Sequence, residues 1–490
     1  MDRTIRTQEE FPNWIAKLYP ELKVFKDDNQ NKRILSRTVT FQVTDACNLA
    51  CTYCYQINKG IRRMSFETAK LAIDKLLSGE DGFADYINPK EVPSIVIEFI
   101  GGEPFLEIEL IDKIVDYFKL RTIELNHPWA SKYSFSICSN GVLYKDPRVQ
   151  KFLQKNKDVL GFNITVDGTQ ELHDACRVFP DGSPSYHLAH SAAMDWMARG
   201  NHMGSKITIA PGNLKYFSEC MLAMIKDGHH HINANCIHEE GWTLEHAQEL
   251  YKQCKDFTNK FHSQYDAKEY EFSLFIENFG MPLSPLNLNN WCGGVGTMLA
   301  IDPDGKLFPC IRYMESSLGT DQKPLIIGDV FNGMMKKECE KQCVDCLNKI
   351  TRRSQSTDQC FYCPIASGCA WCSGYNYQIF GTANKRTTYT CEMHKARCLA
   401  LVYYYNTYYK KNNINEVQDL WVPKQWAIPI IGEEEYNNLV QLTKELGGYV
   451  NEDATMVDIG GKSIAQHKES NYLIPLLIFQ TSHLKLKSDF

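Results

Sequence analysis

No apolar run in this chain approaches the ~18–20 residues of a membrane span, so a membrane partner is not expected. The first residues, Met1-Asp-Arg-Thr-Ile-Arg-Thr-Gln-Glu-Glu10, hold no apolar core, which argues against a secretory leader and for a cytoplasmic protein. A basic surplus is also missing. Lys and Arg number 53 against 59 Asp and Glu, and the resulting net charge of −6 argues against a nucleic-acid partner. What is not scarce is cysteine. There are nineteen, an odd number with no secretion signal, which in a reducing compartment favours metal ligation over disulfides. A chain of 490 residues can bury a core without disulfide staples and has room for several domains.

Two stretches carry most of the cysteine information. The first is Cys47-Asn-Leu-Ala-Cys51-Thr-Tyr-Cys54, just past the apolar run Thr38–Thr44. Cysteine thiolates are the usual ligands of iron–sulfur clusters, and three ligands to a four-iron cube leave one iron open. An open position separates a catalytic metal site from a closed structural one. The same spacing recurs at Cys339, Cys343 and Cys346, but in a charged segment with no strand before it. That copy reads as a ligand reserve or a fortuitous cluster. In all, nine cysteines fall between Cys339 and Cys398.

From Thr38 the chain alternates strand-like and helix-like segments. Strands are expected at 38–44, 94–100, 133–138, 162–166, 206–210 and 232–237, with helices at 66–77, 107–121 and 244–262 among the intervening segments. Six strand-then-helix units imply a parallel sheet with crossover helices, whose site lies beyond the C-terminal strand ends. Cys47–Cys54, Gly101–Pro104, Ser139-Asn140-Gly141 and Asp167-Gly168 all fall at those ends. The polar residues 1–36, with one apolar cluster around Trp14–Tyr19, read as an N-terminal extension. A Pro/Asn-rich connector, Met281–Asn290, separates the expected barrel (37–280) from a cysteine-rich region (285–398). There Asp304-Gly305 between apolar runs signals a hairpin that returns Cys310 towards Cys292. Cys360-x2-Cys363-x5-Cys369-x2-Cys372, followed by Cys391, is a strong metal-ligating pattern. The cysteine-free residues 399–490 read as a helical or mixed extension with a packing role.

The Cys-x3-Cys-x2-Cys stretch, with Tyr53 before its third cysteine, resembles the signature of the radical S-adenosylmethionine (radical SAM) superfamily. Gly101-Gly102-Glu103-Pro104 resembles that family's motif for the SAM amino group. By the same resemblance Ser139 and Asn140 stand where ribose is contacted, and Thr165 and Arg177 match positions that hold polar groups and the carboxylate of SAM. From the residues alone, Arg177 reads equally well as an exposed helix charge. Residues 292–395 resemble the SPASM extension of radical SAM peptide-modifying enzymes, including Gly305 and Cys310 at the expected offset. The resemblance implies two auxiliary 4Fe–4S clusters, one on Cys292, Cys310 and Cys372, the other on Cys360, Cys363, Cys369 and Cys391. The fourth ligand of the first stays open between Cys346, Cys343 and a substrate thiolate. The family also places three residues, not two, between its third and fourth clustered cysteines.

The fold implied is α/β, a partial (β/α)6 TIM-type radical SAM barrel followed by a cysteine-rich SPASM domain. The activity implied is cleavage of SAM to a 5′-deoxyadenosyl radical that modifies a ribosomally made, Cys-containing precursor peptide, with thioether formation as the expected outcome. Such an enzyme needs a reducing donor such as a flavodoxin or ferredoxin and, without a recognition domain of its own, a separate leader-binding protein. The enzymatic rival is an anaerobic sulfatase-maturing enzyme making formylglycine, for which Asp167, Glu239 and Glu240 are candidate bases. The non-enzymatic rival, a multi-cluster electron carrier, leaves Gly101–Pro104 and the strand–helix rhythm unexplained.

Overall fold

The computed structural model describes residues 36–451, except 284–286, 320–321 and 336–346, together with the paired strands Thr455–Ile459 and Lys462–Gln466. The expected N-terminal helix around Trp14 and the repeated motif at Cys339, Cys343 and Cys346 lie outside the described residues.

The strand–helix alternation is realised. β1 (Ser36–Thr44), β2 (Ser94–Gly101), β3 (Tyr133–Ser139) and β4 (Leu160–Ile164) pair in parallel, in chain order. Strands of a parallel sheet are covered on both faces, so both alternating side-chain sets are buried. β1 shows this from Val39 onward, where even Gln42 is fully buried. The helix α1 (Phe66–Ser78) begins at Ser65, whose hydroxyl caps the Thr68 amide, and ends at Gly79 in the left-handed region. Its buried positions Ala69, Ala72, Ile73, Leu76 and Leu77 follow the helical period and pack into the core. α2 (Ile108–Glu124) repeats the pattern through Ile111, Ile114, Val115 and Phe118.

The six expected strands do not form one sheet. β5 (Ser205–Ile209), β6 (His231–Cys236) and the two-residue β7 (Glu271–Phe272) make a second parallel sheet, and among the described residues no ladder joins β4 to β5. Side chains occupy that gap: the Asn163 amide on β4 stands 3.0 Å from where a Cβ on Gly204 would be. No closed barrel results. The first sheet grows instead on its other side. The hairpin β8 (Met298–Ile301) and β9 (Lys306–Phe308) forms as its Asp-Gly turn indicates, with Gly305 at φ 82°. β8 then pairs in parallel with β1, opposite β2. A strand from beyond the Pro/Asn connector therefore shares a sheet with the strand that leads into Cys47.

The C-terminal helices close the far side. α3 (Cys391–Asn412) carries Tyr404, whose ring stacks on Phe275 at 4.5 Å between centroids and meets His262 at 4.6 Å. His262 belongs to the helix Leu244–Gln264. The helix Lys424–Glu445 kinks at Gly432 and returns over α3, where the buried Asn406 amide donates to Thr443 Oγ1 at 3.1 Å. Residues 399–451 thus pack on the body of the protein.

Candidate functional site

The loop Cys47–Cys54 leaves the end of β1 without regular structure, and main-chain hydrogen bonds hold it from two sides. On one side, the amides of Ala50 and Thr52 donate to the carbonyls of Val178 and Cys176 at 2.8 and 2.9 Å. On the other, the amides of Gly102 and Glu103 donate to the carbonyls of Thr44 and Ala46 at 3.1 and 2.9 Å. This second contact explains both glycines. A Cβ on Gly101 would lie 2.7 Å from the Thr44 carbonyl oxygen, and one on Gly102 2.3 Å from the Ala46 oxygen and 2.7 Å from Cys47 Cβ. Only a residue with no side chain permits that approach.

Glu103 is 1% exposed and joins two strand ends. Its Oε1 accepts from Ser139 Oγ at 2.7 Å and from the Phe105 amide, and its Oε2 accepts from the Asn140 amide at 2.9 Å. Burial pushes its carboxyl up, against the pull of these donors. Asn140 Nδ2 in turn donates to Asn48 Oδ1 at 2.7 Å, inside the cysteine loop. Thr165 follows β4, and its amide donates to the Ser139 carbonyl.

Arg177 is not the exposed helix charge that its sequence context allows. Its side chain is 12% exposed, and Nε donates to Asp167 Oδ2 at 2.8 Å. Tyr53 donates its hydroxyl to the same oxygen, and the guanidinium sits 5.4 Å from the Tyr53 ring centroid. Nη1 points at Cys51 Sγ from 3.9 Å. Burial works against the Arg177 charge, but Asp167 outweighs it and raises the pKa further. Asp167 is thus committed as the partner of Arg177 and Tyr53. Truncation of Arg177 would leave the buried Asp167 carboxylate without its cation, with only the Tyr53 hydroxyl donating to that oxygen. We expect Arg177→Ala to cost about 3 kcal/mol of stability, with part regained in Arg177→Ala/Asp167→Asn. Paired thermal melts of the two variants check this; equal melting temperatures would show that the ion pair is not what is lost.

All nine residues that sequence resemblance pointed to for SAM fall in this neighbourhood. Gly101, Gly102, Glu103, Pro104, Ser139, Asn140, Thr165, Arg177 and Tyr53 line one cavity of about 510 Å³ together with Cys47, Cys51 and Cys54. The cavity also has walls that sequence reasoning did not place there. Lys206, Thr208, Asn235 and His238 come from the second sheet and its loops. Arg312 and Cys372 come from the cysteine-rich region. Arg312 donates through Nη2 to Glu239 Oε1 at 2.7 Å and lies over the rings of Tyr55 and Tyr375, at 5.4 and 5.8 Å. Its position two residues after Cys310 is the one sequence signal it carries. The loop after Cys54 is tied to the same region: Asn58 Nδ2 donates to the carbonyls of Glu315 and Leu318, and Arg62 pairs with Asp45 and with Asp304 in the hairpin turn.

The remaining cysteines form two groups. In the first, a Cβ on Gly294 would lie 3.3 Å from Cys310 Sγ and 3.5 Å from Cys292 Sγ, and Cys372 lies within electrostatic reach of both. In the second, Cys369, Cys391 and Cys360 lie within electrostatic reach of Cys363. Cys346, the candidate fourth ligand of the first group, lies outside the described residues. Among the described residues no group of His, Cys, Asp or Glu converges on a single-ion site. Cluster ligands are not expected to, because each thiolate of a 4Fe–4S site binds its own iron. The donor set at Cys47–Cys54 suits such a cluster. The three thiols are half-buried, the Leu49 amide donates to Cys47 Sγ at 3.4 Å, and Arg177 approaches Cys51. Burial pushes the Cys47 and Cys51 thiols up, against the Leu49 amide at Cys47 and the Arg177 charge at Cys51; ligation to a cluster iron would offset that cost.

Comparison with known proteins agrees with this chemistry. Residues 36–178 match the family described as a 4Fe-4S single cluster domain. The serine-type anaerobic sulfatase-maturating enzyme of Bacteroides thetaiotaomicron is 31% identical over 29% of this chain and 31% of its own length. The radical SAM cyclopropyl synthase TigE of Paramaledivibacter caminithermalis is 22% identical over 73% of this chain and 72% of its own. Of the relatives matched at 31% identity or more, this chain spans less than half the length. Among solved structures, native anSMEcpe with bound AdoMet and Kp18Cys peptide shares the fold at a TM-score of 0.54 and 15% identity, over 77% of this chain and 99% of that one. No helix among the described residues is long and apolar enough to cross a membrane. Residues 36–178 thus match a 4Fe-4S domain around the cysteine loop, and the relatives of the chain include a protein named as a radical SAM enzyme.

Proposed function

We propose that the protein is a radical SAM peptide maturase of the SPASM type, which forms thioether crosslinks from cysteines of a ribosomally made precursor peptide in a reducing cytoplasm. The observation that carries the reading is the shared cavity. The three-thiol loop and the Gly101–Pro104 turn face Arg312 and Cys372 of the second cysteine region across about 510 Å³. A cavity of this size is in the range that takes a drug-sized ligand.

A cluster on Cys47, Cys51 and Cys54 with SAM supplies a 5′-deoxyadenosyl radical able to take a hydrogen atom from carbon. The chain's own part is to bind and orient. Gly101 and Gly102 let main chain approach the cysteine loop closely enough to fix it. Glu103 locks the ends of β2 and β3 through Ser139 and Asn140. Arg177, held by Asp167, presents a fixed cation beside Cys51, suited to a carboxylate. Auxiliary clusters on Cys292, Cys310 and Cys372 and on Cys360, Cys363, Cys369 and Cys391 would take up the electron that a substrate radical loses on closing to a thioether. A flavodoxin or ferredoxin would supply the first electron, and a separate protein would present the leader.

Peptide as substrate class is supported by the neighbour solved with a Kp18Cys peptide, and by relatives named as sulfatase-maturating enzymes. Those names also favour the second reading, formylglycine formation, which needs a base. Asp167 is closed off by Arg177 and Tyr53. Glu239 lines the cavity, and although burial opposes its ionisation, Arg312 outweighs that and holds its carboxyl below the usual range. It is the better placed of the candidates. Mass spectrometry of a Cys-containing peptide encoded beside the gene, co-expressed without oxygen, separates the two. Thioether formation removes two hydrogens per crosslink and blocks alkylation of the thiol. An aldehyde trapped by hydrazine would replace this proposal with the formylglycine reading.

A further inference from the structure

Each of the three thiol groups has an arginine beside it, and the three arginines differ in one respect. Arg177, at Cys51, is neutralised by Asp167. Arg312, near Cys372, is neutralised by Glu239. Arg386 donates through Nη2 directly to Cys369 Sγ at 2.7 Å, and among the described residues it pairs with no carboxylate. It is held in place from behind. Its guanidinium lies 4.1 Å from the Trp371 ring centroid. The Trp371 indole donates to Gln355 Oε1 at 3.0 Å, and Gln355 Nε2 donates to the Ala383 carbonyl. All of Trp371, Gln355 and Ala383 are buried. A second arginine adds to the imbalance. Arg397 hydrogen-bonds, among the described residues, the carbonyls of Ser273, Leu274 and Gly368 and no carboxylate, Gly368 being the residue before Cys369.

Hydrogen bonds to the sulfurs and net local charge are the levers by which a protein sets an iron–sulfur potential. An N–H donor on a ligand sulfur and an unneutralised cation both stabilise the reduced, more negative cluster. The field of a half-buried cation is only partly screened by solvent. At the other two groups a carboxylate cancels the arginine at 2.7–2.8 Å; the Cys47–Cys54 loop keeps Lys59 nearby, but its Nζ donates to the Leu49 carbonyl and not to a thiol.

We propose that Arg386 is the residue that sets the potential of the cluster held by Cys360, Cys363, Cys369 and Cys391, making it the most readily reduced cluster of the chain. The inference rests on the reading above that these four cysteines hold a 4Fe–4S cluster. Arg386 acts through Cys369 and does not line the cavity shared by Cys47 and Cys372, so it is a positioning and tuning residue.

The test is an EPR-monitored redox titration of the full chain, reconstituted without oxygen, with iron content measured in parallel. In wild type the cluster that disappears in the Cys360→Ala/Cys363→Ala/Cys369→Ala/Cys391→Ala variant should have the highest midpoint potential. In Arg386→Met that potential should fall while the other signals and the iron content hold. Arg386→Lys, which keeps the charge but loses the planar fork, should fall by less. If Arg386→Met does not keep its iron, the comparison is made on Arg386→Lys alone, which must still fall. An unmoved potential at full iron content overturns the role of Arg386 and leaves the cluster reading intact. If instead the four-cysteine variant keeps the iron of wild type, rather than losing about four per chain, the cluster reading itself fails and this inference with it.

Discussion

Cys47→Ala/Cys51→Ala/Cys54→Ala should reduce SAM-dependent formation of 5′-deoxyadenosine to background and lower iron content by about four per chain, with the other cysteine groups still loaded. The expectation follows from locality. The three thiols stand on one loop, clamped by main-chain hydrogen bonds to residues 176–178 and to the Gly102 turn, so their removal leaves the surrounding backbone contacts in place. The second and third groups draw on other segments, Cys292, Cys310 and Cys372 and then Cys360, Cys363, Cys369 and Cys391. Chromatography of the reaction products together with an iron assay reads both effects. Continued 5′-deoxyadenosine formation by the triple variant would refute the proposed radical chemistry at this loop, and the electron-carrier reading would regain ground.

Gly102→Ala should be nearly as damaging, although it removes no functional group. The added Cβ would stand 2.3 Å from the Ala46 carbonyl oxygen and 2.5 Å from its carbon. Both are main-chain atoms, so no rotamer change relieves the contact. The β1 end and the cysteine loop must shift, and the Glu103 amide must lose its 2.9 Å hydrogen bond to Ala46. A displacement of about 1 Å in a positioned reacting group costs roughly a hundredfold in rate. We expect that loss in 5′-deoxyadenosine formation at saturating SAM, with most of the iron retained. Gly212→Ala is the control: like Gly102 it is not at positive φ, and a Cβ there meets nothing within 4 Å. Equal activities of the two variants would show that close approach at Gly102 is not what positions the loop.

Much of the fold was legible in local pattern. Apolar residues at alternate positions, such as Val39, Phe41 and Val43 or Ile95, Ile97 and Phe99, are buried in parallel strands, and the period of Ala69, Ala72, Ile73 and Leu76 is that of a helix on a core. The hairpin at Asp304-Gly305 was legible for the same reason, since its turn needs a left-handed residue at Gly305. Arg177 was ambiguous because its meaning depends on Asp167, ten residues away and reached only when the α-helical turn Gln170–Cys176 folds back beside β4. Arg312 carried no local signal beyond its place two residues after Cys310. Its importance comes from Glu239, Tyr55 and Tyr375, which reach it from three separate parts of the chain.

By itself the sequence determined which segments are strands and helices, where the backbone needs glycine, and how many thiols stand at each point of the chain. Those are properties of neighbours, carried by side-chain periodicity, turn chemistry and spacing. Only the tertiary structure decided that β8 lies beside β1, that the expected single sheet divides between β4 and β5, and that Arg312 and Cys372 share a cavity with Cys47. It alone decided which arginine is neutralised by a carboxylate and which meets a sulfur unopposed. Such pairings join residues tens to hundreds of positions apart. Which of them form depends on how the whole core packs, and no local window of sequence contains that competition.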